Sequence, residues 1–264
     1  MTDERLEIKT DARGIATVTL ARPERHNALD AATMDALDAA AARLDADGEV
    51  RAVVLAAGGE SFCAGADLGW MRAQAEATRE GRIREARRIA SMLGRLDRLS
   101  KPLIARVQGP AYGGGRGLMA VADVAIVARP GRFAFTEARL GLIPATIGPY
   151  VVPRMGRTGT RRVFFTGRTF DAAEAVALGL AARAVDRDDL DAAVEAEVAA
   201  CLACAPGAVA RAKALAARLA PGPDEAAIEA SIEALADAWE DPEAAEGIAA
   251  FFEKRRPAWR GGRS

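Results

Sequence analysis

The stretch "SFCAGADLGWM", Ser61 to Met71, places Ala64, Gly65 and Ala66 between Phe62–Cys63 and an acid, Asp67. It follows "RAVVLAA", Arg51 to Ala57, an apolar run with the length and composition of a buried strand. Small residues leave backbone N–H groups unshielded. The segment is therefore either a tight turn or a place where a bound molecule takes those donors. A second segment, "AYGGGRG" (Ala111 to Gly117), also comes after an apolar strand, "KPLIARVQG", and reads as a glycine turn opening a short helix. A helix starting there aims free N–H groups and the positive end of its dipole at whatever binds. Two such loops, one donor from each, are what an oxyanion hole needs to hold negative charge developing on a carbonyl oxygen.

Outward from these loops, "LEIKTDARGIATVTL" reads as two alternating strands around the turn "DARG", and Asn27 is a candidate cap for the helix that follows. Met34, Leu37, Ala41 and Leu44 fall at helical spacing. Residues 79 to 99 are arginine-rich, but Ile83, Ala86, Ile89, Ala90, Leu93, Leu96 and Leu99 form one apolar stripe, so the arginines read as a helix's wet face. "VAIVA" and "FAF" are compact strands. "FDAAEAVALGL" is a helix with Asp171 as N-cap, Glu174 three residues on and Gly179 as its stop. Beyond Asp188 the pattern is helical throughout, divided by Pro206, Pro221, Pro223 and Pro242. The expected organisation is a strand–helix core over residues 1–186 and a helical region over 187–264.

Composition narrows the function classes. The chain has 264 residues, half of them hydrophobic, with 36 basic and 37 acidic side chains. That supports a sizeable core and gives no overall basic balance for nucleic acid. The start, "MTDERLEIKT", has no apolar run, and no uninterrupted apolar stretch is long enough to span a bilayer, so neither a signal peptide nor a membrane partner is expected. Three cysteines without a framework suit a reducing cytoplasm. "CLAC" (Cys201, Cys204) lacks further ligands and reads as helix packing; no metal is expected. His26 is the only histidine, which strains any Ser–His or multi-His mechanism. A rival reading exists. "GRGLMA", Gly115 to Ala120, fits the loose dinucleotide form GxGxxA, with Glu137 twenty residues past Gly117, but two short strands intervene where one helix–strand unit belongs.

The segments "LARPERHNALD", "SFCAGADLGWM", "KPLIARVQGPAYGGGRGLMAVADVAIVA", "FAFTEARLGLIPATIGPYVVPRMG" and "FTGRTFDAAEAVALGL" resemble, in order and spacing, the enoyl-CoA hydratase/isomerase (crotonase) superfamily over nearly the whole chain. Their wording is most similar to bacterial methylglutaconyl-CoA hydratase-like members. The resemblance implies an α/β fold, a crotonase-like spiral of β-β-α turns, with C-terminal helices that mediate trimers, often paired as hexamers. It implies a lyase of acyl catabolism acting on an acyl-CoA thioester, coenzyme A being part of the substrate and no further cofactor needed. The N–H groups of Ala66 and Gly114 would grip the thioester carbonyl, and Glu137 would be the catalytic acid/base. The family's other acid falls on Gly117 and is missing. Enoyl-CoA isomerases of the superfamily work with a single carboxylate, and a non-catalytic CoA-thioester binder is a further alternative.

The remaining site candidates carry a structural reading beside the functional one. Arg22 and Arg25 would lie near the CoA phosphates or serve as ordinary surface charges, and His26 would line the channel for the pantetheine arm or simply pack. Ala64, Leu68 and Tyr112 belong to the two loops. Asp67 reads as a loop acid bonding backbone amides, and Cys63 as a small buried thiol. Lys254 would meet the CoA of a neighbouring subunit or stay solvated. Arg116, Thr146 and Tyr150 would orient water, hold a distal carboxylate, or be structural.

Overall fold

The computed structural model describes residues 5–220 and 222–260; the first four residues of "MTDERLEIKT", the Pro221 break and residues 261–264 lie outside them. Alternating apolar residues in Leu6–Thr10 (β1) and Ile15–Leu20 (β2) make an antiparallel hairpin. The sheet then continues in parallel through Ala52–Ala57 (β3), Leu103–Val107 (β4), Val124–Ala128 (β6) and Arg183–Val185 (β9). All six residues of β3 are buried. Both faces of a parallel sheet are covered, which is why its strands read as continuous apolar runs. Val53 and Leu55 face the main core, whereas Val54 joins Ile104 and Ile126 against Leu190–Leu202 (α7). A second, three-stranded sheet is built from Ala111–Tyr112 (β5), Arg132–Ala134 (β7) and Thr169–Asp171 (β8).

Ala31–Ala46 (α1) and Arg79–Asp97 (α3) cover the main core, with Leu37, Leu44, Leu93 and Leu96 buried between them and the sheet. The arginines of α3 are not simply a wet face. Arg88 pairs with Asp35 and Arg95 with Asp38 on α1. On the other side, Arg79 contacts Glu233 (2.7 Å), Asp237 (2.6 Å) and Glu240 (3.0 Å), and Arg87 contacts Glu229 (2.5 Å), all on Glu225–Glu240 (α9). Beneath these pairs Ile232 is buried against Ala86 and Ala90. α9 and Pro242–Phe252 (α10) thus fold back over the core of their own chain, and Gly247 lies so close to the Leu140 backbone that a Cβ would come within 2.4 Å of its carbonyl carbon. Pro206–Leu219 (α8) behaves differently: none of its residues is buried, and Leu215 and Leu219 are exposed. Among the described residues no single helix is long and apolar enough to cross a membrane.

Two local expectations change. Asp30, not Asn27, caps α1, accepting from the Thr33 N–H at 2.7 Å. Asn27 is instead a buried latch in the left-handed region (φ 53°). Its Oδ1 accepts from the Arg22 N–H, and its Nδ2 donates to Gly58 O and Ser61 O at 2.8 and 2.9 Å. Asp171 caps Ala172–Ala177 (α6) as expected, accepting from Glu174 N–H. Gly148–Phe164 (α5), which the sequence reading does not mark, is a helix interrupted by Pro153 and by Gly156 at φ 66°. Because Asn27 ties the end of β2 to the loop after β3, Asn27→Ala is expected to lower unfolding free energy by roughly 2–4 kcal/mol, through lost and unsatisfied buried hydrogen bonds. Urea denaturation measures this, and a change below about 1 kcal/mol would contradict the latch.

Candidate active site

β5 and β7 pair in parallel, Ala111 opposite Phe133 and Tyr112 opposite Ala134, so the chain leaves both strands at the same end. One exit runs into Gly113 and then Gly114–Val121 (α4); the other runs into Thr136 and a short 3-10 turn, Glu137–Leu140. The loop after β3 joins them through the bridges Leu29–Ala66 and Cys63–Ala111 and the Tyr112 N–H, which donates to Cys63 O at 2.9 Å. Gly65 and Gly113 touch backbone to backbone. A Cβ on Gly65 would lie 2.9 Å from Tyr112 O, and one on Gly113 would lie 3.2 Å from Gly65 Cα, 3.8 Å from Ala66 N and 3.9 Å from Glu137 Oε1. Both glycines have positive φ (90° and 47°), which L side chains rarely adopt. Two loops far apart in sequence and the Glu137 carboxylate therefore meet at one point.

The donors there are free. Ala64 N–H donates to His26 O and Asp67 N–H to Leu29 O, but Ala66 N–H has no acceptor among the described residues. Gly114 opens α4, where first-turn amides lack helical partners. These groups face a cavity of about 480 Å³ with largely apolar walls from Leu29, Met34, Met71, Ile147 and, from α9, Trp239. Ala64, Leu68 and Tyr112 line it as well. Two N–H donors plus one carboxylate in an apolar cleft can stabilise an oxyanion and move a proton beside it.

Among the described residues Glu137 has one charged partner. Arg116, fully buried on α4, points Nη2 at both carboxylate oxygens (3.3 and 3.4 Å) and lays its guanidinium 3.8 Å from the centre of the Phe135 ring. Burial pulls the guanidinium down to about 10, opposed by Glu137, so it remains a cation at neutral pH. Arg116 does not line the cavity, which sets aside contact with a distal carboxylate. At Gly117 a Cβ would sit 2.7 Å from Ile147 Cγ2 and 3.2 Å from Leu93 Cδ1. The place of the absent second acid is filled by hydrocarbon.

The other candidates separate. Asp67 caps Leu68–Glu76 (α2), accepting from the Gly69 and Trp70 N–H groups. Arg22, mostly buried, is held by Asp30 at 2.7 Å and faces Asp67 at 3.7 Å. His26 Nδ1 lies 3.1 Å from Ser61 Oγ, with its residue in the left-handed region. Arg25 is exposed on a 3-10 turn, and Lys254 is exposed just beyond α10; neither lines the cavity of this chain. Cys63 is buried, which pushes its thiol up to about 12. The dinucleotide reading fails on space, since a Cβ on Gly115 would meet Cys63 O at 2.7 Å and leave no cradle for a phosphate. Among the described residues no group of three or more His, Cys, Asp or Glu side chains could hold a metal. Sequence reading missed the α9 wall, although Ile228, Ile232, Leu235 and Trp239 recur at helical spacing.

Fold and site together define an apolar cleft in which free N–H donors and one carboxylate meet, the parts an enzyme uses to stabilise an oxyanion. Comparison with known proteins gives the family: the enoyl-CoA hydratase/isomerase profile matches residues 10–262. A "Probable enoyl-CoA hydratase" of Mycobacterium bovis is 34% identical over 97% of this chain and 98% of its own length. Among solved structures, an enoyl-CoA hydratase from Mycobacterium avium superposes with a TM-score of 0.86 at 32% identity, covering 98% of this chain and 100% of the other. One from Mycobacterium smegmatis gives a TM-score of 0.80 at 39% identity over 98% and 100%. The chain belongs to the enoyl-CoA hydratase/isomerase (crotonase) family. Since Ile147 and Leu93 occupy the slot at Gly117, Gly117→Glu is expected to lose about 1–3 kcal/mol from overpacking alone. It should not raise turnover of any acyl-CoA; a gain in kcat with unchanged thermal stability would show that the slot is open.

Proposed function

We propose that the protein adds water across the 2,3 double bond of an enoyl-CoA thioester, with methylglutaconyl-CoA or a related branched acyl group as substrate. The observation that carries this reading is the meeting of Glu137, Ala66 N–H and the Gly113–Gly114 turn in one apolar cavity. Glu137 takes a proton from water as the oxygen bonds to C3. The C2–C3 π electrons move toward the carbonyl oxygen, where the N–H groups of Ala66 and Gly114 hold the charge. The enolate then collapses and C2 takes the proton back from Glu137. Arg25, His26 and Lys254 are proposed contacts for the CoA arm, Lys254 acting on a neighbouring subunit. The sealed position at Gly117 favours a second reading, in which the lone carboxylate carries a proton from C2 to C4 of a 3-enoyl-CoA and shifts the double bond.

Mass spectrometry of products from straight 2-enoyl, 3-enoyl and 3-methylglutaconyl thioesters distinguishes these. Hydration gives a product one water heavier; isomerisation leaves the mass unchanged. Glu137→Gln is expected to cut turnover about 10²–10⁴-fold while thioester binding survives. Binding without turnover by the wild type on every thioester would point to a non-catalytic CoA binder.

We also propose a homotrimer or a dimer of trimers, supported by α8, a helix with no buried residue and with Leu215 and Leu219 exposed. Light scattering should give three or six times the mass of one chain. The double variant Leu215→Glu, Leu219→Glu should shift it toward monomer, and a monomeric wild type would overturn the proposal.

A further inference from the structure

Arg116 is the largest fully buried side chain of the molecule and sits one residue before the position where the family's other acid is absent. Among the described residues its Nε and Nη1 have no hydrogen-bond partner, and the guanidinium's hydrogen bonds there all run from Nη2 to Glu137. A buried cation is tolerated when an anion and good geometry compensate its lost hydration. Cys63 and Tyr112 also bear on it, and Glu137 is the carboxylate in contact with it. Phe135 fixes the guanidinium from the face at 3.8 Å, and the ring is itself locked by Phe164 at 4.5 Å between centroids.

We infer that Arg116 is a positioning residue for the reaction: from beneath the cavity floor it fixes the orientation of the Glu137 carboxylate toward the Ala66 and Gly114 donors. With Ile147 and Leu93 closing the position at Gly117, the single carboxylate needs another anchor, and the Arg116 fork supplies it. Two oxygens facing one Nη2 restrict rotation of the carboxylate about its last bond. The free edge of the carboxylate is left to the cavity, where Glu137 remains partly exposed. Arg116 is fully buried and does not line the cavity, so its effect passes through Glu137.

This inference rests on Glu137 being the acid/base, and the test keeps the two apart. Steady-state kinetics on the best thioester substrate would compare wild type, Arg116→Met, Arg116→Lys, Glu137→Gln and the double variant Arg116→Met, Glu137→Gln. Arg116→Met is expected to lower kcat about 10²-fold, the size of loss that a small misplacement of a reacting group produces, with KM changed less than about threefold. Arg116→Lys should recover part of the loss. The double variant should be no slower than Glu137→Gln alone, because the effects of residues acting as one unit do not add. Thermal unfolding gives a second readout: Glu137→Gln leaves Arg116 buried without an anion and should lower Tm, and adding Arg116→Met should restore it.

An unchanged kcat in Arg116→Met, beside a large loss in Glu137→Gln, would overturn the positioning role and leave the acid/base assignment standing. A multiplicative loss in the double variant, or a rise in KM parallel to the fall in kcat with no rescue by Lys, would overturn it in favour of a packing role. Normal turnover by Glu137→Gln would instead sink the acid/base reading. Should Arg116→Met yield no folded protein, Arg116→Lys decides: a roughly tenfold lower kcat at constant KM supports the role, and a wild-type kcat overturns it.

Discussion

The site depends on a contact made without side chains, the approach of Gly65 to Gly113. A Cβ on either would run into the other's loop, and both backbones occupy the left-handed half of φ space. From that contact follow the orientation of Ala66 N–H, the start of α4 at Gly114, and the distance from both to the carboxylate on the neighbouring 3-10 turn. Parallel pairing of β5 with β7 delivers Glu137 to the same end of the small sheet as the glycine turn. Hydrogen bonds from Asn27 and bridges at Cys63 and Leu29 fix the loop after β3 on the other side. Backbone groups define the donors, so side-chain substitution elsewhere moves them little.

Electrostatics are arranged in two tiers. Near the surface, Arg79 and Arg87 draw α9 onto α3 through exposed ion pairs, each a small stabilisation on its own that fixes the helix's direction. At the centre, Arg116 and Glu137 form one buried contact whose cost in lost hydration is large and whose geometry is correspondingly restrictive. The absence of a second acid and the presence of this arginine belong together. Gly117 leaves room for Ile147, and the charge that neighbours Glu137 is opposite in sign rather than like.

Much of this was legible in the chain because it depends on local rules. Continuous apolar runs give β3 and β6, Asp171 and Gly179 bound α6, and the paired small-residue loops point to free N–H groups. What was not legible depended on contacts between distant residues. Asn27 reads equally well as a cap or a latch until the loop it holds is in place. Pro153 and Gly156 hid α5, since both interrupt a helical pattern that tertiary packing carries through. The arginine face of α3 reads as solvated because its acidic partners lie some 50 to 60 residues away on α1 and 140 to 160 residues away on α9. Arg116 was visible only as one of several polar residues near a glycine turn; its burial and its stacking on Phe135 are properties of the fold.

The provenance of the cavity walls has an evolutionary consequence. The N–H donors and the carboxylate come from a tightly constrained junction of two loops and one turn, whereas much of the hydrocarbon lining the cavity comes from α1, α2, α3 and α9, whose inward residues are ordinary aliphatic and aromatic packing. Replacing Met71, Ile89 or Trp239 reshapes the space without touching a donor or the carboxylate. The donors and the cavity walls are therefore written on separate parts of the chain. Descendants of such a scaffold can explore new substrates by neutral drift in the walls while purifying selection holds the junction still.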